Sequence, residues 1–195
     1  YQLKQTLKAQ PNDPDGLFLI ASNYYFLSNF EKARNAFHET LAFEKDPKSR
    51  AECYCTLGLI EKKTRASDES TDSEKEFYRL ALKEDPTHML SLVNLASCLQ
   101  GEHRYREARP LLLRALAQEE VDNPHYHVAL GNYANNVGTL DQDLEKELEL
   151  HSEALRLSPK NIEHKVNVFR CQLCTGRIDQ AKQNRATFPP GFTKR

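Results

Sequence analysis

The chain has 195 residues, with 27 Lys and Arg against 28 Asp and Glu and a net charge of −1, so it lacks the basic surplus with which proteins grip nucleic acid. It holds no apolar run of about 18 residues that could cross a bilayer, and no signal-peptide pattern opens it at Tyr1. Five cysteines, an odd number without any Asn-x-Ser/Thr site, give no disulfide framework and place the protein in a reducing, cytoplasmic setting.

Taken in order, residues 1–10 read as the end of a preceding helical unit, with Leu3 and Leu7 on one stripe. A chain that begins inside such a unit is expected to be an excerpt of a longer protein. Pro11-Asn12-Asp13-Pro14 is a turn, and Asp13 is placed to cap a helix starting at Pro14. A first unit, 14–47, follows as helices over 14–27 and 30–44. It is rich in aromatics: Phe18, Tyr24, Tyr25, Phe26, Phe30, Phe37 and Phe43.

The second unit, 48–86, predicts helices over 49–64 and about 74–84, separated by RASDESTDSEKE. That run reads as a solvated loop, with phosphorylation at Ser67, Ser70 or Ser73 as the sharper alternative. In the third unit, 87–123, Leu92, Leu95, Ala96 and Leu99 form a helical stripe. Gly101-Glu102-His103-Arg104 turns the chain, and a second stripe runs from Tyr105 through Ala108, Leu112 and Ala115 to Leu116. Pro110 falls within that second helix, where a missing N–H usually kinks the chain. The fourth unit, 124–159, predicts helices over 124–137 and 140–157. A fifth unit or cap, 160–188, predicts helices over 161–174 and 178–187, before a tail, 189–195.

One pattern recurs through all five units. An aliphatic residue precedes a small one at Ile20-Ala21, Leu57-Gly58, Leu95-Ala96 and Leu130-Gly131, and the last unit has Val168-Phe169. Successive spacings are 37, 38, 35 and 38 residues, a period that belongs to stacked repeats. Ala33, Ala108 and Ala181 each lie 12 residues further on. Small residues at fixed places let helix axes approach, and proline at Pro11, Pro47, Pro86 and Pro159 is expected to close most units.

The in-phase pairs, Phe30, Tyr105 and Ile178 before the second helix, Ala33, Ala108 and Ala181 within it, and the endings RALAQ, LALKEDP and EALRLSP together resemble the tetratricopeptide repeat (TPR) family. The resemblance covers nearly the whole chain. It departs from the family early in each first helix, where a bulky aromatic gives way to Leu17, Tyr54, Leu92, His127 and Lys165. It implies an all-α fold, a right-handed α-solenoid of stacked helix-turn-helix repeats in a single array. The closely packed contacts between first and second helices are expected at Gly58, Ala96 and Gly131.

No arrangement of residues predicts catalysis, a cofactor or a metal. Cys171-Gln172-Leu173-Cys174 is a solitary CxxC, whereas a structural zinc site needs four ligands. His125 and His127 point apart at i and i+2 of a helix. The acid pairs Glu119-Glu120 and Glu145/Glu149 read as solvated helix faces. The chain is accordingly expected not to be an enzyme.

What remains is surface. The resemblance implies that the free stripe of each first helix lines an inner, concave wall used for binding. The predicted peptide-binding residues are Phe18, Ser22, Tyr25 and Phe26 in the first unit and Thr56 and Leu59 in the second. Val93, Asn94 and Ser97 follow in the third, Asn132 and Asn135 in the fourth, and Asn167 and Arg170 in the fifth. Asn94, Asn132 and Asn167 would hold a peptide through its backbone, since one amide offers both a donor and an acceptor. Some family members clamp the C-terminal carboxylate of chaperones with Lys, Asn and Arg on this wall. The matching positions here are Phe18, Ser22, Thr56, Leu90 and Asn94, so that clamp is not expected. The expected role is a non-catalytic scaffold for an extended peptide or a partner subunit. The alternative is the substrate-recognition arm of a larger enzyme, such as a glycosyltransferase, with its catalytic domain elsewhere.

Overall fold

The computed structural model describes residues 12–66 and 70–189. Among these residues every regular element is an α-helix. They are α1 (Pro14–Phe26), α2 (Phe30–Phe43), α3 (Pro47–Thr64), α4 (Asp72–Glu84), α5 (Met89–Gly101), α6 (Tyr105–Leu116), α7 (Tyr126–Leu140), α8 (Leu144–Leu157), α9 (Ile162–Cys174) and α10 (Ile178–Ala186). None of these helices is long and apolar enough to cross a membrane. The expectations on residues 1–10, Ser67 and most of the 189–195 tail lie outside the described residues.

Helix starts are written locally. Asp13 accepts from the Gly16 amide at 3.0 Å, and Asp46 accepts from the Ser49 amide at 2.8 Å, each with proline as the first helical residue. Pro47 therefore opens α3 instead of closing the unit before it, because its missing N–H costs nothing at that position. Asn29, Asp143 and Asn161 cap α2, α8 and α9 in the same way.

The turn from first to second helix repeats one backbone device. Ser28, His103, Gln142 and Gly176 all adopt positive φ, at 56°, 60°, 56° and 75°. Each sits just past a helix end, where a left-handed residue lets the chain reverse. Gly101, expected to serve the turn, is instead the last residue of α5, and His103 takes the left-handed place.

The chain divides into two compact units, Tyr1–Leu95 and Ala96–Arg195, the division falling inside α5. In unit 1 α1 packs on α2, α2 on α3, and α3 on α4. Its core gathers Ala21, Ala33, Ala36, Phe37, Cys53, Leu57 and Ile60. Phe18 meets Phe37 edge to face, with ring centroids 5.8 Å apart. Gly58 faces the buried Tyr78 ring of α4 so closely that an added Cβ would stand 2.6 Å from it. Arg34 bridges to Glu61 at 2.7 Å. Arg50 bonds Glu84 and also the carbonyls of Leu41 and Glu44, which satisfies the end of α2.

From Asp72 onward the low-complexity run is helical and not a solvated loop. Helix α4 starts at Asp72, and Glu74 and Lys75 are buried. Glu74 lies 3.7 Å from Arg65, and Lys75 lies 2.9 Å from Asp72. Paired charges explain how Glu74 and Lys75 can be buried.

In unit 2 α6 packs on α7, α7 on α8, α8 on α9, and α9 on α10. Ala108, Leu112, Ala115, Leu130, Ala134, Val137, Leu148, Val168 and Ala181 are buried, and so are the polar Asn136, Glu147, His151 and His164. Helix α7 runs over 126–140 and α8 begins at 144, each later than the sequence suggests. A chain of tight backbone turns from Ala117 to Tyr126 delays the start of α7, and the Asp143 cap sets that of α8. Pro110 stays inside an unbroken α6. Gly131 does not meet the second helix of its own hairpin as expected: an added Cβ there would stand 2.8 Å from the His164 ring on α9.

Candidate binding surfaces and a buried polar cluster

Two stretches of unit 1 form a groove. On α1, Phe18, Ser22, Tyr25 and Phe26 recur at i, i+4, i+7 and i+8, which is one helical face. Across from them α3 presents Glu52, Thr56 and Leu59, and the seven residues line an open groove of about 280 Å³. Phe26 is 81% exposed and its neighbour Leu27 is 76% exposed. Tyr25 braces this end, its ring edge-on to Phe26 at 5.9 Å and to Phe30 at 6.0 Å. Partial burial raises the Tyr25 hydroxyl above its usual pKa, which keeps it a neutral donor. A second opening, of about 360 Å³, adjoins through the shared Phe18 and Glu52 and adds Asp15, Glu44, Lys48 and Ser49. Apolar floor and charged rim together are the composition of a protein-binding patch. Glu52 is fixed from the side, its Oε2 lying 2.9 Å from His88 Nε2.

The other predicted residues are placed differently. Val93 and Asn94 are buried in unit 1, and the Asn94 amide donates to its own helix at Leu90 O, 2.9 Å away. In unit 2 the Asn132 side chain donates to Ser97 Oγ at 2.9 Å, while the Asn132 backbone carbonyl accepts from Gln100 at 2.9 Å. Those bonds tie α5 to α7. Asn135 Oδ1 lies 3.2 Å from His151 Nε2 and 3.4 Å from Arg170, and Asn167 is half-buried on α9. The neighbouring Asn136 is fully buried, where it accepts from Arg109 and donates to Tyr105 O, both at 2.7 Å. Inter-helix bonding therefore accounts for Asn132, Asn135 and Asn136.

A cluster in unit 2 escaped the sequence reading. Glu147 and His151 stand one turn apart on α8, and Cys171 faces them from α9. One donor atom from each lies within 4.8 Å of the others. Their exposures are 5%, 0% and 2%. Arg170 pairs with Glu147 Oε1, and His151 Nε2 lies 3.7 Å from the same oxygen. Burial, with help from the Glu147 carboxylate, pushes the Cys171 thiol up to about 11. Burial drops the His151 imidazole to about 3, and the charges of Arg170 and His164 add to that. His164 is lowered to about 4 by burial and by His127, whose Nδ1 stands 2.9 Å from its Nε2. The i, i+4 spacing of Glu147 and His151 was the available signal, masked by the charged helix around it. The CxxC pair is split by the fold, since Cys171 is buried and Cys174 exposed.

No protein-family model matches the chain, and no curated protein matches it in sequence. Several solved structures share its fold. PilF of Pseudomonas aeruginosa superposes with a TM-score of 0.72 at 20% identity, over 88% of this chain and 72% of that one. PilW, a type IV pilus biogenesis factor, gives 0.70 at 18% identity, over 99% of this chain and 84% of its own. YrrB, described as a TPR protein with an unusual peptide-binding site, gives 0.66 at 15% identity, over 94% and 89%. The likeness at these identities is one of fold, and the fold of this chain is that of the tetratricopeptide repeat proteins, an all-α stack of helix-turn-helix repeats.

Proposed function

We propose that this chain is a non-catalytic protein-interaction module whose unit 1 groove holds an extended segment of a partner protein. The observation that carries the reading is the groove between α1 and α3, with Phe26 standing 81% exposed at its lip. A large ring left in water gains most when a partner side chain covers it. Charges at Asp15, Glu44, Lys48 and Glu52 would orient the segment. YrrB, with a similar fold and a peptide-binding site, supports the same use of the architecture.

The asparagines take a lesser part. Asn94 and Asn132 have their amide nitrogens committed within the protein, so a peptide backbone would meet their oxygens.

Panning the purified protein against a random-peptide library tests the reading. Peptides carrying aromatic or aliphatic anchors are expected, and Phe26→Ala should weaken them by roughly tenfold or more, as for an interface anchor. The triple Asn94→Ala, Asn132→Ala, Asn167→Ala variant should weaken them less. Peptides bound equally well by wild type and by a folded Tyr25→Ala, Phe26→Ala variant would move the binding surface off this groove.

A further inference from the structure

We propose that Glu147, His151 and Cys171 form a zinc site inside unit 2, with Asn135 Oδ1 as the fourth donor. The set supplies one carboxylate oxygen, one imidazole nitrogen, one sulfur and one amide oxygen. Mixed donors of that kind suit a borderline-soft ion such as Zn²⁺, whereas Mg²⁺ and Ca²⁺ take oxygen throughout. The three first donors already lie within 4.8 Å of one another. Zinc bonds of about 2.0–2.3 Å require tetrahedral neighbours roughly 3.3–3.8 Å apart, so small side-chain movements close the site. His151 Nε2 is already aimed at two of the oxygens, 3.2 Å from Asn135 Oδ1 and 3.7 Å from Glu147 Oε1.

Two further features single the cluster out. The Glu147 carboxylate lies against the backbone at Gly138, in space that any Cβ there would occupy, so α7 is shaped around that charge. Finally, Arg170 already sets a cation on Glu147 while its side chain remains 53% exposed. The guanidinium stands where a metal would neutralise the carboxylate, and it can withdraw to solvent when one arrives. Binding converts the Cys171 thiol to a thiolate, with one proton released to solvent per metal and no change of oxidation state.

The experiment is a Co²⁺ titration of the purified, fully reduced protein, read by absorbance. One equivalent should give tetrahedral visible bands and a thiolate-to-cobalt charge-transfer band, both erased by Zn²⁺. Cys171→Ser should lose the charge-transfer band and Cys174→Ser should keep it. Arg170→Ala removes the competing cation and should bind cobalt about tenfold more tightly, the scale on which groups around a metal tune its affinity. Should Cys171→Ser fail to fold, protection of Cys171 from alkylation by zinc in the wild type replaces it. A missing charge-transfer band, a band that survives Cys171→Ser, unprotected Cys171, or weaker binding by Arg170→Ala would each overturn the site.

Discussion

The two units are built from the same hairpin but fill their interiors with different chemistry. At Gly58 in unit 1 the notch receives the ring of Tyr78, and Phe37, Leu57 and Ile60 complete an apolar core. At Gly131 in unit 2 the notch receives His164 instead, and Asn136, Glu147 and His151 are buried alongside. Among the described residues, unit 1 keeps its buried charges at one place, the start of α4, where Glu74 meets Arg65 and Lys75 meets Asp72. An apolar core is stabilised by area removed from water and is indifferent to pH. A core of neutral imidazoles is stable only while those rings stay unprotonated.

The largest effect should come from the apolar side. Phe37→Ala empties a fully buried site that Phe18 packs against edge to face. It should cost about 3–5 kcal/mol in urea unfolding, with the same loss at pH 5 and pH 7. A loss below about 1 kcal/mol would mean that unit 1 does not depend on this core.

Acid sharpens the contrast from the other side. His151 and His164 titrate near 3 and 4 in the fold, against an ordinary 6.5. Below about 6.5 the unfolded chain takes up protons that the fold refuses, so stability falls with pH and the loss is complete only below about 3. The groups facing these rings are His127, Glu147, Cys171, Asn135 and Arg170. Thermal unfolding between pH 4 and 7 should show a steep slope that His151→Gln combined with His164→Gln flattens. An unchanged slope in that variant would dissolve the distinction between the two cores.

Overpacking gives an intermediate effect. Gly58→Leu drives a side chain into Tyr78, which is itself fully buried and cannot yield, for a cost of roughly 1–3 kcal/mol. Gly131→Leu should cost a similar amount, but by displacing His164 it should also alter the acid slope. Identical pH profiles for the two variants would contradict the assignment of their neighbours.

The smallest effect lies in the turns. Ser28 and Gln142 hold positive φ without being glycine, so Ser28→Gly and Gln142→Gly should each raise stability by about 0.5–1 kcal/mol. Gly176→Ala, in the equivalent turn, should lower it. A drop in melting temperature for both glycine variants would argue that the serine and glutamine side chains matter more than the backbone.

By itself the sequence determined the repeats. Caps at Asp13 and Asp46, the stripes of Leu92 to Leu99, and the small residues Ala33, Ala108 and Ala181 act within one or two helical turns, and such local rules are legible in a single chain. The aromatic face of α1, from Phe18 to Phe26, was legible for the same reason. Tertiary structure alone decided what each polar stripe meets, because a small rotation of a neighbouring helix exchanges water for a side chain. So Asn132 reaches Ser97 across 35 residues, and Gly131 opposes His164 of the next hairpin and not its own. Glu147, His151 and Cys171 share one buried point only because α8 and α9 pack together. Periodicity reports which face of a helix is buried; it carries no record of the side chain waiting on the other side.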